Sequence, residues 1–179
     1  MNQNINADLA RTRGVDLEMI WAFEPDFAGA ESETFTVRAL LGRLAENSTT
    51  TAAGTTQDQA GAATPSSRPK YSGVVSGYYN IGDWSLMLQG TYFHETMNNI
   101  TWVEGRDVDN NWIGSQTVFN FGATYSGEWS GGTGWRASFN VTNLMDEAPP
   151  MFPTANGQSL VIGHDTLGRR YNLSLTLDF

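Results

Sequence analysis

The sequence predicts an all-β chain, an antiparallel up-and-down transmembrane β-barrel segment of about seven strands. Three observations predict it. Apolar residues alternate with polar ones along most of the chain. Aromatic residues gather at the ends of the alternating stretches. The connections between stretches are short and long in turn.

In the first stretch Val15, Leu17, Met19, Trp21 and Phe23 share one face, opposite Asp16, Glu18, Ile20 and Ala22. In the second, Phe35, Val37, Ala39 and Leu41 oppose Thr36, Arg38, Leu40 and Gly42. The third carries Tyr71, Gly73, Val75, Gly77 and Tyr79 on one face, and the fourth Trp84, Leu86, Leu88, Gly90 and Tyr92. Phe119, Phe121, Ala123 and Tyr125 mark the fifth, and Trp135, Ala137, Phe139 and Val141 the sixth. The last has Tyr171, Leu173, Leu175, Leu177 and Phe179 against Arg170, Asn172, Ser174, Thr176 and Asp178. None of these apolar faces holds a charge, as expected of a surface that meets lipid. A soluble antiparallel sheet alternates as well, so alternation alone leaves both readings open, and Leu40, Met87 and Phe93 on the polar face do not decide it.

The rings and connections favour the membrane. Trp21, Phe23, Phe35, Tyr79, Trp84, Tyr125, Trp135 and Phe179 fall at one rim, and Tyr71, Tyr92 and Tyr171 at the other. Such girdles suit amphipathic rings at a membrane interface. The short connections are Pro25 to Ser32, Ile81 to Asp83 and Trp129 to Gly134, whereas residues 46–69, 94–114 and 145–168 form long loops, all at the opposite end. Loops beyond about 12–15 residues are uncommon in compact soluble domains. Strands of about ten residues at ~3.3 Å each, tilted near ~40°, span roughly 25 Å, the height of an apolar band.

Composition bounds the function. The 179 residues suffice for one domain, and no apolar run reaches the length of a membrane helix, ~20 residues. A net charge of -9, with Lys and Arg unclustered, excludes a phosphate-backbone binder, so no nucleic-acid partner is expected. The chain has no Cys, which removes disulfides, Cys-ligated zinc and thiol catalysis. The start, Met1 to Asp8, is no secretory signal. Together with a strand count that is odd and leaves open edges, it reads as a chain cut from a longer precursor, residues 1–11 being a disordered or preceding-loop remnant.

The last forty or so residues carry specific motifs. Asn140-Val-Thr-Asn-Leu-Met-Asp146 resembles the V-x-N-L-F-D element before the final strand of TonB-dependent receptors, with Met145 where Phe is usual. Asp165-Thr-Leu-Gly-Arg-Arg-Tyr171 resembles their D-x-x-G-R lead into that strand. Arg13-Gly-Val-Asp-Leu-Glu18 is similar to their G-V-E-L-E strand, and Pro69 to Leu86 to their third-from-last hairpin. The resemblance implies that residues 12–179 are the C-terminal part of a barrel of ~22 strands in the bacterial outer membrane. It also implies a plug domain and a TonB-contacting segment N-terminal to this chain, so TonB would be met only through that missing region. Alternating hydrophobics ending on an aromatic, Tyr171, Leu173, Leu175, Leu177 and Phe179, look like the signal read by the barrel-assembly machinery.

Expected partners are therefore outer-membrane lipid and that machinery, and the implied role is uptake of a siderophore, a cobalamin or a glycan. Two alternatives stay open: a small outer-membrane barrel with a structural or adhesion role, and a soluble β-sandwich carbohydrate-binding module. No catalytic constellation, cofactor or metal site is expected. His94 and His164 lack a carboxylate cluster, and Asp107-x-Asp109 alone does not make a calcium loop. His94, Trp102 and Trp112, in one outer loop, are the ligand-contact candidates, since exposed rings stack on flat ligands and loops often carry binding. Asp16 and Glu18, beside Arg38, read as a lumen ion-pair network.

Overall fold

A computed structural model of the chain describes residues 9–30, 32–63, 68–129, 132–150 and 167–178, and none of these is helical. Seven long strands form: β1 (Leu9–Phe23), β2 (Glu33–Thr50), β4 (Tyr71–Ile81), β5 (Trp84–Phe93), β8 (Gln116–Glu128), β9 (Gly134–Thr142) and β10 (Arg170–Asp178). Three short ones lie in the outer loops: β3 (Thr56–Asp58), β6 (Thr96–Met97) and β7 (Trp112–Ile113). The long strands make one antiparallel sheet in the order β1-β2-β4-β5-β8-β9-β10, with β3 on the end of β2 and β6–β7 apart as a hairpin. Each long strand pairs with the next in sequence, as an up-and-down barrel requires.

The registers bring the seven apolar faces to one side. Phe23 pairs with Phe35, Phe35 with Tyr79, Tyr79 with Leu86, Leu86 with Ala123, Ala123 with Phe139, and Phe139 with Leu173. Further outward, Val37, Gly77, Leu88, Phe121, Val141 and Tyr171 form a parallel row. A slip of one residue at any ladder would turn that strand's apolar set to the other side. These side chains are not covered by a second sheet: Leu17, Leu88 and Leu173 are exposed, Leu173 by 79%. A sandwich buries such a face between two packed sheets, so the sandwich reading has no counterpart among the described residues.

The other face is polar and internally bonded. Arg38, Ser76, Gln89 and Asn120 stand in one row across four strands. Gln89 Nε2 donates to Ser76 Oγ (3.1 Å), and Asn120 Nδ2 to Gln89 Oε1 (3.4 Å). Nearer the turns Thr124 and Ser138 hydroxyls meet at 3.1 Å, and Asn80 Nδ2 donates to Thr34 Oγ1. Arg38 grips Glu18 through Nη2 at 2.8 Å and Nε at 3.1 Å, the structural pairing expected there.

The band has definite ends. β1 begins at Leu9, inside the stretch 1–11 expected to precede the barrel, and a bulge at Arg13/Gly14 resets its pairing. A Cβ on Gly14 would sit 2.8 Å from the Arg43 carbonyl oxygen, so the bulge needs a glycine. Beyond it the pairs are polar, Arg13 with Glu46 and Thr12 with Asn47. β2 likewise runs on to Thr50 and folds back as β3, so the loop expected at 46–69 is partly strand. At this rim Arg43 continues the apolar face of β2, and its guanidinium lies 5.9 Å from the Tyr71 ring centroid. At the opposite rim Glu33 occupies the same face.

The two faces predict opposite tolerance to charge. Leu88→Lys, at mid-band on the apolar face, is expected to cost roughly 2–4 kcal/mol in a bilayer. Thr91→Lys, on the polar face of the same strand, should cost less than ~1 kcal/mol. Urea unfolding of the bilayer-inserted protein followed by tryptophan emission measures both; equal losses would contradict the assignment of faces.

Candidate functional site

The outer loops are built from the strand ends upward. β3 folds back on β2 through a turn in which Thr51 N donates to Thr55 O and Gly54, at φ 79°, donates to Thr51 O. Asp58 then closes the loop: its Oδ1 accepts from Asn47 N (2.9 Å) and Ala60 N (3.0 Å). The Asn47 amide first, then the Ala60 amide, hold this carboxyl below its ordinary range, with Lys70 adding a smaller attraction.

The next loop docks on it. Met97 N donates to Gly61 O (2.7 Å) and Ala63 N to Met97 O (2.8 Å), so residues 61–63 run beside β6 as a parallel bridge. β6 pairs with β7, Thr96 opposite Ile113 and Met97 opposite Trp112. Between them residues 98–111 form a lobe around the buried Asn111 side chain. Its Oδ1 accepts from Asn99 N (3.0 Å), and its Nδ2 donates to Asn99 O (2.7 Å) and Trp102 O (3.2 Å). The acidic residues of the lobe do structural work. Glu104 accepts Asn111 N (2.8 Å); Asp107 accepts Val103 N (2.9 Å) and pairs with Arg106 (2.7 Å). Arg106 first, then the Val103 amide, lower the Asp107 carboxyl. Among the described residues no cluster of His, Asp and Glu suits a metal ion.

Where the two loops meet lies a cavity of about 380 Å³, lined by Asp58, Lys70, His94, Glu95, Met97 and Trp112 among others. The size suits a small ligand, since pockets for such ligands start near ~300 Å³. His94 is firmly placed: its backbone N–H donates to Tyr71 O (3.0 Å), its Nδ1 meets the Tyr92 hydroxyl (2.9 Å), and its ring stands edge-on to Tyr71 at 5.2 Å. Of the three candidates, the structure brings His94 and Trp112 to one cavity. Trp102 is held in the lobe by its carbonyl and does not line it. Asp58, Lys70 and Glu95 were missed by sequence reasoning. Asp58 and Lys70 come from the neighbouring loop, and the bridge that brings them is made of backbone groups, which leave no residue signature. His164 lies outside the described residues.

The third loop meets the polar face. Asn143, fully buried at φ 54°, donates its N–H to Asn120 Oδ1 (3.0 Å), extending the row from Ser76 and Gln89. Its side chain exchanges two bonds with the Glu147 backbone, at 2.9 and 2.8 Å. Asp146, also left-handed, accepts the Arg169 N–H (2.9 Å), and the Arg169 guanidinium lies 3.8 Å from the same carboxylate. Arg169 Nη1 also donates to Leu144 O (3.3 Å). The two C-terminal motifs are thus halves of one clasp at the mouth of the β9–β10 pair. Most of the loop expected at 145–168 lies outside the described residues, as does Phe179; Tyr171, Leu173, Leu175 and Leu177 stand together on the apolar face of β10.

A family model described as TonB dependent receptor-like, beta-barrel, matches residues 1–144. The match covers β1 to β9 and ends before β10. No curated protein and no solved structure matches the chain.

Two outcomes test the loop architecture. A carboxyl whose folded pKa is depressed contributes stability that is present above its unfolded value and lost as pH falls through the folded one. The Asn47 and Ala60 amide resonances should therefore titrate with a midpoint below the ordinary aspartate value of 3.8, whereas Asp58→Asn should displace them at every pH. Asn111→Ala removes the bonds at the centre of the lobe, each unmade partner costing about 1–3 kcal/mol; limited proteolysis should then cut within residues 98–111 at least tenfold faster and leave the strands intact.

Proposed function

The chain belongs to the family of TonB-dependent receptor-like β-barrels, and from that premise we propose that residues 12–179 are the C-terminal wall of an outer-membrane transporter. The family is one of receptors and transporters rather than enzymes. The cargo class we propose is a siderophore, a cobalamin or a glycan, met on the outside by the loops and moved with energy supplied through TonB by an N-terminal region.

The observation that carries this reading is the match over residues 1–144. The sheet supports it: an uncovered apolar face suits lipid, and a hydrogen-bonded polar face suits a wet lumen. The cavity between the first two outer loops supports a ligand-contact role for His94 and Trp112. Asp58, Lys70 and Glu95 line the same concavity, which brings residues of both charges beside the histidine and the tryptophan. Trp102, on the adjoining lobe, is the third candidate. The exposed row Tyr171, Leu173, Leu175 and Leu177, which Phe179 follows in the sequence, supports recognition of the last strand by the barrel-assembly machinery.

Trp112→Ala and His94→Ala should each lower uptake several-fold, with the amount of protein in the outer membrane unchanged. The probes are a ferric siderophore, cobalamin and an oligosaccharide, each supplied as the limiting nutrient. Deleting Phe179 should instead lower the amount of heat-modifiable barrel. A chain that purifies without detergent as a monodisperse monomer would overturn the transporter reading altogether.

A further inference from the structure

The strand-end girdle does not stop at the strands. The β1–β2 turn doubles back onto the apolar face through residues 24–30. Phe27 sets its ring 6.4 Å from Phe23 and 6.2 Å from Tyr79, both members of that face, yet it remains 72% exposed. The turn is locked from below by Glu33. Its carboxylate accepts the Phe27, Ala28 and Ala30 amides at 3.0, 3.0 and 3.1 Å and the Tyr79 hydroxyl at 2.6 Å. Glu33 is itself only 4% exposed, so a charge continues the apolar face with its bonds satisfied and its surface covered.

The β8–β9 turn does the same on the other flank. Trp129 closes it, donating its N–H to Thr133 O (2.9 Å) and accepting the Gly132 N–H (3.1 Å). Its ring lies 6.4 Å from Trp135, which meets Tyr125 at a tilt, 5.4 Å between centroids, and through it reaches Trp84. Trp135 can lie flat because Gly127 is beneath it; a Cβ there would come within 2.7 Å of the indole. Trp129 is nevertheless 50% exposed. Two turns of unrelated sequence thus each carry a large ring outward, past the last paired residues, onto a face already lined with rings. A soluble turn gains nothing by this; folding each ring inward would cover it.

We propose that the β1–β2 and β8–β9 turns are lipid anchors, seating Phe27 and Trp129 at the headgroup–acyl boundary of the inner leaflet. The inference rests on the outer-membrane reading above. Lipid is the occupant because both rings continue the surface that lipid covers, and because aromatic rings favour that boundary. Glu33 is a positioning residue that holds the first turn in its outward fold.

The chain contains no Cys, so single nitroxide labels are unambiguous. Labels at Phe27→Cys and Trp129→Cys in the membrane-inserted protein should be more accessible to oxygen than to a nickel chelate, like a reference label at Leu88→Cys. A label at Asp83→Cys, in the two-residue turn, should show the reverse. Adding Glu33→Gln should move the position-27 label toward the aqueous value. Labels at 27 and 129 that behave like 83, with 88 in lipid, overturn the anchors alone; label 88 in water overturns the membrane reading with them. A measurement on the unsubstituted protein guards against misfolded variants. Hydroxyl-radical footprinting should oxidise Trp129 several-fold more slowly than Trp102, although Trp129 is the more exposed in the chain itself (50% against 37%). Equal or faster oxidation of Trp129 would overturn the proposal.

Discussion

In hydrocarbon no water reaches an unpaired amide, so a chain that crosses it as strands must bond its backbone sideways to neighbouring strands. That constraint sets the rest of this structure. It requires continuous ladders, and the registers of those ladders decide which side chains face which way. The glycines of the apolar face show the register at work. Gly90 leaves room for the Phe119 ring and Gly73 for the Leu41 side chain. Small residues beside large ones let the rings lie down along the sheet, which gives a smooth surface without a second layer.

The constraint relaxes at the rims, and the structure changes character there. Arg43 continues the apolar face of β2 but turns its guanidinium to Tyr71, where a cation keeps a partner while its stem stays on apolar surface. Glu33 continues the same face at the other end and is tolerated because three amides and a hydroxyl surround it. The alternation in sequence ends at Phe35 and Leu41, and these two residues lie just beyond it. Both ends of the apolar band are therefore marked by a satisfied charge rather than by a loss of strand.

The strands were legible because a period of two is a local property: Val75 and Leu88 announce their face within their own stretch. Pairing order was legible because each strand joins the next. The outward fold of the β1–β2 turn was not, since nothing in residues 24–32 distinguishes a turn that projects from one that folds back; the answer lies in Glu33 and in Tyr79 on another strand. Only part of the candidate site could be read. His94 and Trp112 stood out as exposed residue types in one loop, but Asp58 and Lys70 come from another, delivered by the bonds of Gly61 and Ala63 to Met97. The C-terminal motifs were recognisable as patterns, whereas their reason, the Asp146 carboxylate taking the Arg169 amide, is a contact between segments far apart in the chain.

The outer loops are held by the same means as the wall. Asn111 satisfies its lobe, Asp58 its turn, and Asn143 joins the third loop to the polar row at Asn120. Loops fixed in this way would lose little freedom on meeting a ligand, so that more of the contact energy would appear as affinity. Anchoring and lining fall largely on the same residues: Asp58, Gly61 and Met97 hold the loops together and also line the cavity. Trp112 pairs within β7 and also lines the cavity, as does His94, which bonds through Nδ1 to the Tyr92 hydroxyl. A substitution at these positions therefore alters the loop scaffold together with the cavity's chemistry, while the wall beneath stays the same.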